Sequence, residues 1–443
     1  MPVKGLFDPI IFAGFKAQCW LAPSVTRADL NRLGQSIKNP GPAKCVLVLG
    51  AGNVSSIPAT DTISKVFQEG CVVLLKMNPV NEYLGPIFER LFARLVEMGI
   101  VRIIYGGADV GAAAIGHPAV DEVHITGSIN SHDAIVWGPP GAERQRRLEQ
   151  HDPLLKKPIT SELGNVSPWI VVPANYSASQ LRFQAESVAS SITNNASFNC
   201  VATKLIITWR DWPQRKQFLD LLADILAQVP RRAAYYPGAC QRFERFSGKR
   251  EAAGPDGSLP WTLLRDADPH AAPHLFQEES FVCVCAEMGL DAASPQDFLR
   301  KAVDFANEKL WGTLSAAMTV HPSFRRDPGG ESCFQEALSN LRYGSIGVNH
   351  WPALVYAMMS PPWGGYPTAT LENAQSGIGS VHNTFQLDGV QKTVLEGPLT
   401  IFPKPSWFPT HRNPEPLAWR LLDLYGQPSV WKLPGLFAKA LGG

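Results

Sequence analysis

The sequence predicts an α/β protein with a doubly wound parallel sheet, and three observations carry that expectation. Between residues 45 and 175, short β-rich runs alternate with longer helical segments every dozen residues or so. The runs are apolar along most of their length, as strands buried on both faces are. A glycine turn, Gly50-Ala51-Gly52, follows the first run and opens a helix, the kind of junction at which open α/β sheets bind ligands.

Taken in order, the expected strands are 45–49, 71–76, 101–105, 122–126 and 169–172, with helices at 57–68 and 82–98 between the first three. Strand, helix, strand at this spacing means parallel βαβ units, because parallel neighbours need a long crossover. A polar stretch, 138–157, carries Arg144, Arg146, Arg147, Lys156 and Lys157 and interrupts the pattern; it reads as a solvated excursion rather than a phosphate site. A long amphipathic helix runs from Ala178 to Asn195, and further α and β segments extend to about Leu387. After Pro398 the chain is rich in Pro and Trp, and 417–424 and 431–441 read as amphipathic pieces that pack on the body or on a partner subunit. These features divide the chain into 1–163, a ligand-binding domain with the insert, 164–387, a second α/β domain, and 388–443, a packing or oligomerisation segment.

Composition narrows the function. Forty Lys and Arg against 39 Asp and Glu leave a net charge of +1, so no basic field recruits phosphate backbones, and nucleic acid is not an expected partner. The eight cysteines include no pair of CxxC motifs, which predicts reduced thiols in the cytoplasm and no metal site. Asp8, Lys16 and the lack of a small-residue cleavage site argue against a signal peptide at the start. No apolar stretch is long enough for an integral membrane segment.

Several residues offer chemistry, each with a plainer alternative. Asn53, at a strand-to-helix junction, either donates its amide to a developing oxyanion or caps the following helix. Residues 50–55 also form a partial dinucleotide fingerprint, but its third glycine is Ser55 and no acidic residue follows at the expected offset. Lys76 ends an apolar strand, where its ammonium either binds sugar hydroxyls or phosphate, or is simply solvated. Gly127 and Ser128 end a strand and precede a helix whose free N–H groups suit a phosphate, as would any ordinary turn of this kind. Glu162 sits among turn residues, as a general base if burial raises its pKa and as a solvated loop residue otherwise. Cys200, in a polar loop, is a nucleophile or a structural thiol. Trp351, Trp363, Trp407 and Phe408 suit a tunnel wall, though such clusters are more often core.

In their order and spacing these residues resemble the aldehyde dehydrogenase superfamily, over about 45–385. Asn53 resembles the oxyanion-binding asparagine, and Lys76, 23 positions later, the lysine that holds the adenosine ribose. Thr126-Gly127-Ser128 looks like the Thr-Gly-Ser of the cofactor helix, and Glu162-Leu163-Gly164 with Ser167-Pro168 like the general-base motif. Asn195 and Cys200 fit the nucleophile loop, and Glu278-Glu279-Ser280-Phe281 looks like Glu-Glu-Ile-Phe, whose second Glu holds the nicotinamide ribose. Trp311-Gly312-Thr313-Leu314 and Pro362-Trp363-Gly364-Gly365 resemble two further family segments. The sequence departs from the pattern at Ser197-Phe198 (for Gly-Gln), at His132 (for Gly), at Asn165-Val166 (for Gly-Lys) and at Pro79, where a ribose-binding Glu often stands. Only 52 residues precede Asn53, so this resembles an atypical member with a shortened N-terminus.

The resemblance implies a Rossmann-like cofactor domain over 1–163 and a catalytic domain of aldehyde dehydrogenase type over 164–387. It also implies an NAD- or NADP-dependent oxidation of a small-molecule aldehyde through a thioester on Cys200. Glu162 is then the general base and Asn53 the oxyanion donor, while Lys76, Gly127, Ser128, Leu163, Glu279 and Phe281 bind the cofactor. The implied assembly is a homo-oligomer, dimer or tetramer, in which a C-terminal strand joins the neighbouring subunit. Alternative readings are an acyl-CoA reductase using the same cysteine, and a noncatalytic binding subunit of the same family.

Overall fold

The computed structural model describes residues 5–30, 41–250 and 253–443. After β1 (Lys16–Leu21), five parallel strands form one sheet: β2 (Cys45–Leu49), β3 (Val72–Lys76), β4 (Val101–Ile104), β5 (Glu122–Gly127) and β6 (Ile159–Leu163). Their order is β4-β3-β2-β5-β6. The chain winds outward from β2 in one direction through β3 and β4, then returns to add β5 and β6 on the other side. The carboxyl ends of β2 and β5 therefore flank the point where the winding reverses, and a crevice opens there. Val46, Leu47 and Val48 are all buried, as strands covered by helices on both faces require.

A second sheet holds β7 (Ser167–Val171), β8 (Thr203–Trp209), β9 (Thr262–Leu264), β10 (Val284–Leu290), β11 (Ser315–Thr319), β12 (Ser345–Val348) and β13 (Val390–Glu396), together with β1. Its order is β1-β13-β12-β11-β7-β8-β10-β9. Every pairing is parallel except that of β1 on β13. Two large apolar clusters fill this domain, one around Phe298, Phe334 and Phe276 and the other around Trp169, Leu222 and Trp363.

The sheets divide the chain differently from the boundaries expected at 163 and 387. Residues 16–21, expected in the first domain, and 390–396, expected in the terminal segment, are adjacent strands of the second sheet. Their pairing joins residues far apart in sequence, which local periodicity does not report. β13 lies between β12 and β1 of its own chain. The helices Pro414–Gly426 and Leu433–Leu441 pack on each other and on Phe7 through Leu417, Leu424 and Leu436.

The excursion at 138–157 carries the helix Ala142–Glu149, solvated and laced by Glu143 with Arg146 and Arg147. It is tied down by buried Leu155 and by Lys157, which donates to the Ile115 and His117 carbonyls. No described helix is long and apolar enough to cross a membrane.

Candidate active site

Only residues 164–166 separate the end of β6 from the start of β7. This short link sets the carboxyl edge of the first sheet against the amino edge of the second, and a cavity of about 1240 Å³ lies at the join. Asn53, Lys76, Gly127, Ser128, Glu162, Cys200, Glu279 and Phe281 all line it. Leu163 is the exception. Its side chain is fully buried and its N–H donates to the Ser376 carbonyl, because it points into the core from the strand that aims Glu162 at the cavity. Trp351, Trp363 and Phe408 are buried and are not among the residues that line this cavity. Trp351 donates to the Val201 carbonyl at 2.7 Å and braces the chain just past Cys200.

The loop that bears Cys200 is shaped by how the preceding helix begins and ends. Ser177 and Gln180 form a reciprocal capping box at the start of Ala178–Thr193. At the far end Asn195, Ala196 and Ser197 take φ values of 50, 54 and 69°. Three consecutive side-chain-bearing residues in the left-handed region are costly, and tertiary contacts hold them there. The Asn195 amide donates to the Asn53 and Phe198 carbonyls at 2.8 and 2.9 Å, and the Tyr235 hydroxyl donates to the Asn53 carbonyl at 2.8 Å. Buried Lys204 donates to the Ser197 carbonyl and hydroxyl and to the Val282 carbonyl, tying this loop to the one that bears Phe281. Phe198, which replaces the expected glutamine, packs among Tyr235, Tyr236 and Phe281.

Asn53 does not cap the following helix. That helix, Ile57–Ile63, has Ser56 at its cap. The Asn53 amide instead donates to the Phe198 carbonyl at 3.2 Å, and its second N–H is left for a further acceptor.

Burial governs the titration of the central pair. The Cys200 thiol is pushed well above its ordinary range by burial and then by the negative charges of Glu162 and Glu279. Glu162 is raised to about 8, first by burial and then by Asp61, and the adjacent Cys200 thiol and Trp363 indole offset this only in part. Its Oε1 makes no hydrogen bond. Burial likewise raises Glu279 and lowers Lys204, each opposed by the other's charge.

The other half of the cavity has the features of a dinucleotide cradle. A Cβ on Gly50 would come within 3.0 Å of Pro58, and one on Gly52 within 2.6 Å of Asn78, so only glycine leaves the backbone open to a ligand there. Ser128 caps the helix Ile129–Trp137, whose remaining N-terminal N–H groups favour a phosphate. Lys76 is buried at the carboxyl end of β3, and burial lowers its pKa. Glu279 presents a buried Oε1 with no partner. These residues fit a nicotinamide dinucleotide.

Gly164 lies against the Glu279 carboxyl so closely that a Cβ would overlap it. Gly164→Ala is expected to displace Glu279 and raise the apparent Kd for the nicotinamide about tenfold, read by fluorescence titration, while the fold persists.

Sequence reasoning missed Lys204, Tyr235 and Asp61. The one local signal for Lys204 and Asp61 was a polar residue in a largely apolar element, and Tyr235 lies in a loop that gave none.

Residues 28–232 match the family model described as the aldehyde dehydrogenase family. The α-ketoglutaric semialdehyde dehydrogenase 2 of Azospirillum brasilense is 25% identical over 217 residues, 46% of this chain and 38% of that protein. Among solved structures, an NAD-dependent aldehyde dehydrogenase from Sinorhizobium meliloti superposes with a TM-score of 0.60 at 18% identity, covering 80% of this chain and 66% of that one. An aldehyde dehydrogenase of Mycobacterium tuberculosis complexed with NAD+ gives 0.58 at 21% identity, covering 81% and 70%. The matched stretch thus spans well under half of the curated relative and about two thirds of the first of these structures. The fold is the Rossmann-like α/β fold of the aldehyde dehydrogenases. Over residues 28–232 the chain is thus similar to the aldehyde dehydrogenases, and it shares their fold.

Proposed function

We propose that this chain oxidises an aldehyde to a carboxylic acid through a thioester on Cys200, with NAD or NADP as hydride acceptor. The observation that carries this reading is the convergence of the Cys200 thiol, the Glu162 carboxyl and Asn53 on one cavity, at the join of two sheets and beside a dinucleotide cradle. The resemblances to aldehyde dehydrogenases, one of them complexed with NAD+, support it.

The chemistry follows from the groups present. The Cys200 thiol releases its proton to water in the cavity and its sulfur attacks the aldehyde carbon, and the oxygen that gains charge is held by the Cys200 N–H and the free N–H of Asn53. A bound nicotinamide supplies the hydride acceptor that makes the thioester an oxidation product. Lys76 and the N-terminus of Ile129–Trp137 hold the cofactor's remote half, and Glu279 and Phe281 border the cavity beside Cys200. Glu162 then takes a proton from water, whose oxygen bonds to the thioester carbon as the carbon–sulfur bond breaks. A base held next to the sulfur supports hydrolysis over passage of the acyl group to coenzyme A.

The test is a panel of short, long and aromatic aldehydes with each cofactor, followed by formation of reduced nicotinamide. Asn53→Ala is expected to lower kcat roughly 100-fold or more with little change in KM, since the lost donor acts on charge that develops during reaction. Saturable cofactor binding without turnover on any aldehyde would instead mark a noncatalytic binding subunit.

A further inference from the structure

A row of polar and ionisable side chains runs through the first sheet behind Glu162, in a place where a doubly covered parallel sheet ordinarily buries apolar ones. In the parallel register of β5 and β6, Thr126 stands opposite Glu162 and His124 opposite Thr160. Residues two apart on a strand share a face, so these four side chains lie side by side. The helix above them carries Asp61 in its last α turn and Lys65 where it widens to π geometry, Ser64–Gln68. Turns of this type are uncommon and gather at functional sites.

Polar contacts follow one another from Thr126 to Glu69, and Thr126 itself faces Glu162 across the strand register. The Thr126 hydroxyl donates to Asp61 Oδ2 at 2.9 Å, and His124 Nε2 lies 3.4 Å from that hydroxyl and 3.6 Å from the same carboxylate oxygen. His124 Nδ1 and the Thr160 hydroxyl are 2.8 Å apart, and Lys65 Nζ donates to Thr160 at 3.3 Å. Lys65 also donates to both oxygens of Glu69, at 2.7 and 2.9 Å. Asp61, His124 and Lys65 are each 1% exposed, whereas the Glu69 side chain is 36% exposed. Burying an acidic, an imidazole and an amine side chain together is expensive unless they pair with one another.

We propose that Asp61, His124, Thr160 and Lys65 form a proton exit that empties Glu162 to the surface at Glu69. The inference rests on the hydrolytic reading above, in which Glu162 collects one proton per turnover. That proton must leave before the next aldehyde arrives. Glu162 Oε1 has neither solvent contact nor a hydrogen-bond partner, and the cavity on its other side is the one assigned to cofactor and acyl group.

The transfer balances as a single concerted shift. Lys65 gives a proton to Glu69, which passes it to water, and Lys65 is refilled from the Thr160 hydroxyl. Thr160 is refilled from His124, and His124 from Glu162 by way of Thr126 and Asp61. One proton enters, one leaves, and each intervening group keeps its charge, while His124 passes from its Nδ1–H to its Nε2–H tautomer and must revert before the next proton. His382, packed on Tyr356, has its pKa lowered to about 4 by burial, so it stays neutral near neutral pH and places no positive charge against the row. The other groups that face it are Tyr356, beside Thr60, and Cys200, beside Glu162.

The test compares Thr160→Val, which keeps shape and removes the hydroxyl, with Thr160→Ser, which restores it. Rapid mixing with aldehyde and cofactor separates the burst of reduced nicotinamide from the steady rate. For Thr160→Val we expect an unchanged burst, a steady rate roughly tenfold lower and a larger solvent deuterium isotope effect on the steady rate alone. Thr160→Ser returns toward wild type. His124→Gln, which keeps a hydrogen-bonding side chain but relays no proton, should match Thr160→Val. Steady rates equal to wild type in both Thr160→Val and His124→Gln overturn the exit and leave the hydrolytic reading standing. Failure of wild type to reduce nicotinamide with any aldehyde overturns that reading and the exit with it. Loss of burst and steady rate together in Thr160→Val, not rescued by serine, assigns Thr160 a structural role and also overturns the exit.

Discussion

Cys200→Ala is expected to abolish aldehyde-dependent reduction of NAD or NADP, with a loss of at least about 10⁴-fold. In the proposed reaction the sulfur bonds to the aldehyde carbon and later leaves it. Neither the Asn53 amide nor the Glu162 carboxylate replaces that bond. Removing one small side chain at the cavity wall leaves the capping box, the left-handed turn and the Lys204 tie in place. The variant should therefore still bind nicotinamide, and fluorescence titration alongside the rate assay separates lost chemistry from lost structure. Full turnover in Cys200→Ala would remove the sulfur from the mechanism.

Glu162→Gln should divide the reaction in two. The burst of reduced nicotinamide persists while the steady rate falls about 100-fold or more, because the amide can no longer take a proton from water. Equal losses in both phases would count against a hydrolytic role. The pH dependence follows from burial. The wild-type base works only when deprotonated, so deacylation falls away as pH drops through about 8, whereas the Gln variant has no such limb.

The same raised pKa has a consequence for stability. The folded state keeps this proton up to about pH 8, while an unfolded Glu releases it near pH ~4.3. Stability from this group is therefore complete below the unfolded value and falls as pH rises through the folded one. Glu162→Gln should be relatively more stable than wild type at pH ~9 than at pH ~5. Denaturation curves at the two pH values check this.

How much of the site the sequence disclosed depended on where each signal lay. Asn53, Lys76 and Ser128 were legible because each closes an apolar run and precedes a turn, so a window of ten residues contains the whole argument. Glu162 and Cys200 were legible as types in turn-rich segments, but their partnership was not, since 37 residues of strand, link and helix separate them. Leu163 was assigned by its place in a motif, and the strand's alternation sent its side chain to the core instead. Asp61, His124 and Lys204 gave almost no signal, because a lone polar residue in an apolar element is as often solvated as buried.

By itself, then, the sequence established the alternation of buried strands and helices and the set of reactive side chains at strand ends, because both are written in short-range patterns of polarity. Tertiary structure alone decided that β1 and β13 close the second sheet, that Cys200 and Glu162 share a cavity, and that a polar row continues behind Glu162 to the surface. Each of these depends on pairings between distant segments, and the burial that sets the cysteine and carboxyl pKa values exists only once those segments have packed.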